Sequence, residues 1–239
     1  MNGLLYGCLW VAVRGLARIY FRLRIEGQDR IPLKGGVLFA ANHASYLDIP
    51  LLGCGVRRRL WYMGRRDLFP MPGMKRLFRA LGWIPIRSDR LDRQGFESAT
   101  DLIRSGKAVV IFPEGGRTVT GQLRHGKPGV GIIVAQTRCP VVPVHIDGTF
   151  EAMPPGRSWP RPCRVTLRFG EAMEFADIAE GSEKIFYHEV SRRVMARIAE
   201  LGRVEPPPGH GQRERSTSGH TSGKPALQSL NAEGDRRLS

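Results

Sequence analysis

From Gly36 onward the chain alternates short apolar or β-branched runs with longer segments of helical periodicity, and this alternation restricts the fold more than any other property of the sequence. The strand-like runs are "GVLFAAN" (36–42), "RLWYMG" (59–64), "WIPIR" (83–87), "AVVIFPEGG" (108–116) and "VVPVHID" (141–147), followed by "CRVTLRFG" (163–170). Helical patterns fall between and after them, at 49–55, 71–82, 90–106, 129–137 and 181–202. Such alternation predicts an α/β fold, a single domain with a mixed or mainly parallel sheet flanked by helices. The 239 residues, 41% hydrophobic and 25% charged, suffice for one ordinary core without staples. No internal repeat is visible. Cys8, Cys54, Cys139 and Cys163 are scattered, with no C-x-x-C pair and no histidine at metal-ligand spacing, so neither a disulfide scaffold nor a metal site is expected. A reducing, cytosolic setting is the default for such a chain.

Composition shifts mark three segments. Residues 1–24 read as an amphipathic helix that places Arg14, Arg18 and Arg22 at four-residue intervals on one face, with Leu9, Val13, Leu16, Ile19, Tyr20 and Leu23 around the rest. A helix of this kind lies in a membrane interface or packs on its own domain. The uncharged run from Gly3 to Val13 is shorter than the roughly 20 apolar residues a bilayer span requires. It also lacks the preceding basic region and following small-residue site of a cleaved signal peptide. Residues 25–203 form the domain. Residues 204–239, rich in Pro, Gly and Ser, read as a disordered tail.

The formal charge is +15, and the tail, with five Lys or Arg against four Asp or Glu, contributes almost none of it. The folded part is therefore built to meet something anionic: nucleic acid, a phospholipid surface or a phosphorylated substrate. Single-strand nucleic-acid binding requires aromatic residues interleaved with basic ones. The aromatics here, 8%, sit mostly in apolar runs, so nucleic acid is not the expected partner.

Two stretches carry chemistry, and both fall at carboxyl ends of expected strands, where α/β sheets place their ligands. The first is "NHASYLD", residues 42–48. His43 could act as a general base oriented by Asp48, or Asp48 could cap a helix starting at Ile49 while His43 is a loop residue. A five-residue spacing rotates by about 140° on an ideal helix, so the pair would have to bridge a turn. No G-x-S-x-G nucleophile motif occurs, so a hydroxyl activated by His43 would belong to a substrate. The second stretch is "VVIFPEGGRTVTG", residues 109–121. Gly115 and Gly116 allow close approach to the backbone and Arg117 offers a planar fork to phosphate, although an ordinary turn with a solvated arginine has the same composition. Dinucleotide and ATP loops are not supported, since no G-x-G-x-x-G or Walker run occurs.

Together these stretches resemble the phospholipid/glycerol acyltransferase family. Its N-H-x4-D block is present as Asn42, His43 and Asp48, and its F-P-E-G-x-R block as Phe112 to Arg117. "GWIPIRSDR" approximates the block between them, and "VVPVHIDGT" the proline-centred strand after them; the resemblance covers about residues 25–175. Two positions depart from the family pattern. Gly116 stands where Thr or Ser is common, and Ser88 stands where an arginine is expected, flanked by Arg87 and Arg90.

The resemblance implies a glycerol-3-phosphate acyltransferase-like fold and O-acyl transfer from an acyl thioester, acyl-CoA or acyl carrier protein, to the hydroxyl of a lysophospholipid. The acceptor implied is 1-acyl-sn-glycerol-3-phosphate, giving phosphatidic acid in phospholipid biosynthesis. His43 would be the base and Asp48 its partner, and Glu114, Gly115, Gly116 and Arg117 would hold the glycerol-phosphate, with Arg87 and Lys127 adding charge. No cofactor and no metal are implied. The enzyme would sit peripherally or monotopically on the cytoplasmic face of the cell membrane. A different acceptor, such as a lyso-ornithine lipid, would keep His43 and Asp48. A non-catalytic basic membrane-binding module is the reading from another class.

Overall fold

The computed structural model describes residues 3–65, 82–87, 92–178 and 182–207. The helical pattern at 71–82, up to Leu81, lies outside these residues, as do Ser88, Arg90 and the tail from Pro208. Residues up to Pro207 form one compact unit. In chain order the elements are α1 (Gly3–Tyr20), β1 (Arg24–Glu26), β2 (Val37–Ala41), α2 (Asp48–Gly55), β3 (Leu60–Arg65), β4 (Trp83–Ile86) and α3 (Arg93–Arg104). They continue with β5 (Ala108–Ile111), α4 (Gly129–Thr137), β6 (Val141–Asp147), the short α5 (Thr149–Ala152), β7 (Thr166–Phe169) and α6 (Glu183–Gly202).

The strands form a seven-stranded sheet in the order β1-β7-β6-β2-β5-β3-β4. Neighbours run parallel except β6 and β7, so β6, β2, β5, β3 and β4 point one way and β7 and β1 the other. This is the α/β fold with a mainly parallel sheet that the alternation predicts. Both faces are covered, which explains why β2 reads as an unbroken apolar run. Its odd residues Val37, Phe39 and Ala41 pack with Ala17 and Phe21 at the end of α1 and Leu51 and Leu52 of α2. Leu38 and Ala40 face the other way, toward Ile103 of α3, Ile133 of α4 and Val194 and Ile198 of α6. The elements that patterning does not reveal, β1 and α5, have three and four residues, too few to display a period.

α1 has two unlike sides. Ala17 is buried against α2, whereas Val11, Leu16, Ile19 and Tyr20 are exposed, Ile19 at 82%. The arginine row expected to face lipid headgroups is split. The Arg14 guanidinium turns inward and donates to the Cys54 carbonyl, while Gln28 Nε2 donates to Gly55 O at 2.6 Å. The cause is the carboxyl end of α2, whose last carbonyls have no partners within the helix and attract cationic and amide donors. Arg58, within the "RRR" run, is likewise structural, donating to the carbonyls of Pro32, Gly35 and Gly106 at 2.7–2.8 Å.

α4 and α6 approach to backbone contact at Gly131, where an added Cβ would lie 2.3 Å from Tyr187 Cα. Gly131→Ala is expected to lower stability by about 1–3 kcal/mol, the usual range for overpacking a core contact. Urea unfolding measures this, and an unchanged midpoint would mean that the two helices separate at little cost.

Candidate active site

β2 and β5 are parallel neighbours with Ala40 opposite Ile111, so the loops that follow them leave the sheet side by side. They are joined twice. The His43 N–H donates to Glu114 Oε1 at 3.0 Å, and the Thr118 N–H donates to the His43 carbonyl at 2.9 Å. On the other flank, Asn42 exchanges two hydrogen bonds with the Ile146 backbone of β6, at 2.9 and 2.7 Å. The histidine therefore emerges from a turn fixed from both sides.

Asp48 Oδ2 lies 2.8 Å from His43 Nδ1 and also accepts the N–H groups of Ala44 and Ser45 at 2.7 and 2.8 Å. The carboxylate is wholly buried. Asp48 is the first residue of α2 rather than its cap, and Leu47 in the cap position makes no side-chain capping bond. The carboxylate thus folds back over the turn to the histidine instead of closing the helix. With an ionised acceptor at Nδ1, the proton of the neutral imidazole resides there and Nε2 carries the free lone pair. The ring stacks on Phe112, centroids 4.0 Å apart and planes 19° apart, which fixes its orientation.

His43 lines a cleft of ≈ 800 Å³ together with Arg87, Gly115, Gly116, Arg117 and Lys127. Apolar side chains, among them Ile49, Met63, Trp83, Phe96 and Ile132, complete the walls. The Arg117 guanidinium sits 3.6 Å above the Tyr46 ring, a cation–π contact within the cleft. Gly115 has φ +68°, a left-handed conformation that favours glycine, and a Cβ there would come within 2.8 Å of the Lys127 side chain, which would have to move. Gly116 differs, since its Cβ would meet Arg124 Nη1 at 3.8 Å, an ordinary contact that leaves room for a larger residue. Arg87 is placed by its N–H bond to Asp92 Oδ2, 2.8 Å, at the start of α3.

Three comparisons bear on this arrangement. The sequence profile of the acyltransferase family matches residues 22–147, more than half of the chain. The chain belongs to the acyltransferase family. It is 29% identical over 143 residues to a chloroplastic 1-acyl-sn-glycerol-3-phosphate acyltransferase of Brassica napus, a match covering 57% of this chain and 40% of that protein. The chain thus spans about two fifths of the length of that plant relative. A 1-acyl-sn-glycerol-3-phosphate acyltransferase of Bacillus subtilis is 23% identical over 192 residues, 80% of this chain and 90% of that one. Among solved structures, the 1-acyl-sn-glycerophosphate acyltransferase of Thermotoga maritima superposes with a TM-score of 0.64 at 26% identity, covering 81% of this chain and 79% of that one.

In this member of the acyltransferase family the residues expected at the site divide into two layers. His43, Arg87, Gly115, Gly116, Arg117 and Lys127 line the cleft, whereas Asp48 and Glu114 are buried behind it. Glu114 is 2% exposed, and both its oxygens accept backbone N–H groups, from His43 at 3.0 Å and Arg124 at 3.2 Å. It clamps the loops from below. Tyr46 and Arg124 complete the arrangement without having been singled out in the sequence, and Phe112, which opens the F-P-E-G-x-R block, supplies the face on which His43 stacks. Tyr46 sits between the two matched positions of its block, and Arg124 contributes to Glu114 through its backbone, which side-chain chemistry does not encode.

Burial pushes the Glu114 carboxyl up from its ordinary 4.5 to about 7, against the lowering effect of the bonds from the His43 and Arg124 backbones. That shift corresponds to about 3 kcal/mol. The folded state holds this proton more tightly than the unfolded chain, so the group's contribution is full below 4.5 and is lost as pH rises through about 7. Between pH 5 and 8, wild type should therefore lose about 2–3 kcal/mol more stability than Glu114→Gln, which carries no such proton. Denaturant unfolding across that pH range checks this, and parallel curves for the two proteins would contradict the assignment.

Proposed function

We propose that this chain transfers an acyl group from a thioester, acyl-CoA or acyl carrier protein, to the free hydroxyl of 1-acyl-sn-glycerol-3-phosphate, giving phosphatidic acid. The observation that carries the reading is the His43–Asp48 pair at 2.8 Å on the wall of a cleft that also holds Arg87, Arg117 and Lys127. Among the described residues no hydroxyl or thiol side chain bonds the His43 ring, which suits direct attack by a substrate hydroxyl, and these cations, with Arg65 on the same wall, suit a phosphorylated acceptor and an anionic donor. The names of the Brassica, Bacillus and Thermotoga relatives agree with that acceptor.

In this reading His43 Nε2 takes the hydroxyl proton as the acceptor oxygen attacks the thioester carbonyl. The buried Asp48 carboxylate stabilises the imidazolium that forms and keeps its Nδ1–H in place. The tetrahedral intermediate then collapses, the C–S bond breaks, and the departing thiolate takes the proton back from Nε2. No acyl-enzyme and no cofactor enter the balance. Glu114 acts on the reaction only by holding the histidine's backbone against the loop that carries Arg117, whereas Arg117, Lys127 and the Gly115–Gly116 backbone receive the glycerol-phosphate.

The reading includes attachment to the cytoplasmic face of the cell membrane, where the acceptor resides. Among the described residues no helix is long and apolar enough to cross a membrane. The exposed side of α1, with Val11, Leu16, Ile19 and Tyr20 beside the exposed Arg18, supports peripheral contact.

His43→Ala should lower kcat for palmitoyl transfer to lysophosphatidate by roughly 10²–10⁴, the usual value of a general base, in an assay of thiol release from palmitoyl-CoA and from palmitoyl carrier protein. Arg117→Ala should raise KM for lysophosphatidate and leave a phosphate-free lyso-ornithine acceptor unaffected. Faster acylation of the ornithine lipid by wild type would overturn the acceptor assignment while keeping the mechanism. Gly116→Thr should fold and retain activity, since its Cβ finds no contact closer than 3.8 Å.

A further inference from the structure

The segment that links α5 to β7, "MPPGRSWPRPCR" (153–164), is not used by the mechanism, yet it is held in a defined shape. The Arg157 N–H bonds Pro154 O at 3.1 Å around Gly156, which has φ +90°. Arg157 Nε donates to Trp159 O at 2.9 Å and Arg161 Nε to Glu151 O at 2.6 Å. These bonds consume backbone carbonyls and leave the Trp159 indole out in solvent at 81% exposure. A large aromatic side chain held out by a tied loop loses contact area with water's competitor, the core, for no folding benefit. A single exposed aromatic residue is ordinary, so its surroundings decide whether it marks a binding surface.

Two contacts say where that surface belongs. The Tyr20 hydroxyl, at the end of α1, donates to Pro160 O at 3.0 Å, so the residue after Trp159 is tied to the end of the helix whose exposed side carries Leu16 and Ile19. Pro155, in the same loop, lines the active cleft. The loop thus runs from the margin of the cleft to the apolar helix. Its charge is one-sided, since Arg157, Arg161 and Arg164 are all exposed and the stretch from 153 to 164 contains no Asp or Glu.

We propose that Trp159 and the arginines around it form a second membrane contact, which binds the interface of an anionic phospholipid bilayer beside α1 and sets the cleft margin at the lipid surface. The proposal rests on the membrane attachment put forward above and adds to it a residue, a loop and an orientation. Tryptophan suits the headgroup level because its ring is apolar and its N–H can stay hydrated. Arginines there gain from an anionic leaflet, and the gain falls with salt. Two anchors on one rigid unit fix an orientation that a single helix leaves free to roll.

The test is partition of the full chain onto vesicles of phosphatidylcholine with and without phosphatidylglycerol, followed by sedimentation. The partition and quenching measurements use neither acyl donor nor acceptor, so their outcome does not depend on whether lysophosphatidate is the substrate. Trp159→Ala should weaken partition onto the anionic vesicles about five- to tenfold, Trp159→Phe less, and added salt should weaken wild type further. Brominated phospholipid should quench less of the tryptophan emission in Trp159→Phe than in wild type. Equal partition of all three proteins, or undiminished quenching in Trp159→Phe, would overturn the proposal. So would unchanged vesicle binding of Trp159→Ala together with lost turnover on palmitoyl carrier protein, which would assign the loop to a protein partner.

Discussion

The His43 backbone N–H pointing at a buried Glu114 carboxylate is the contact on which the geometry of the cleft depends. Parallel pairing of β2 with β5 brings the two loops to the same edge of the sheet, but pairing ends at Ile111 and cannot itself fix residues three positions further on. The carboxylate extends order past the end of the ladder. It joins the turn that carries the histidine to the loop that carries Arg117, and draws in Arg124 from beyond Gly121. Burying an acid in this way is costly, and the backbone donors offset only part of the cost, which is why its proton is held so tightly.

Much of this was legible in the sequence because the relevant patterns are local. Among the described residues, the strand and helix runs expected between Gly36 and Gly202 recur as elements with boundaries shifted by only a few residues, since each is long enough to express its period. The ends of β2 and β5 stood out in the sequence because His43, Asp48 and Arg117 are unusual beside apolar strands, and His43 and Arg117 do line one cleft. What sequence could not display is direction. Arg14 and Arg58 are indistinguishable in composition from the arginines that face solvent, yet they are consumed by carbonyls at the end of α2 and in two loops. Trp159 was equally silent, because exposure of an aromatic residue is decided by which backbone groups its loop must satisfy.

The basic charge of the chain consequently does several jobs. Part of it is structural, closing the open ends of helices and turns, and part lines the cleft in Arg87, Arg117 and Lys127. Another part lies on the α1 and 153–164 surfaces. A net value of +15 therefore describes the molecule poorly until each cation is placed. Glycines divide in the same way: Gly115 is fixed by backbone conformation and by Lys127 passing over it, whereas Gly116 is sterically free.

The stacking of Arg117 on Tyr46 has a thermodynamic side. An arginine side chain free in solvent carries about 2 kcal/mol of rotamer entropy, which any anion must remove when it captures the guanidinium. With the guanidinium already lying 3.6 Å over the ring, much of that freedom has been surrendered during folding, before a ligand arrives. The aromatic face takes only the flat side of the cation and leaves the N–H edge in the cleft plane for oxygen acceptors. Tyr46 thereby converts a flexible charge into an edge of N–H donors whose direction is preset by the ring beneath it.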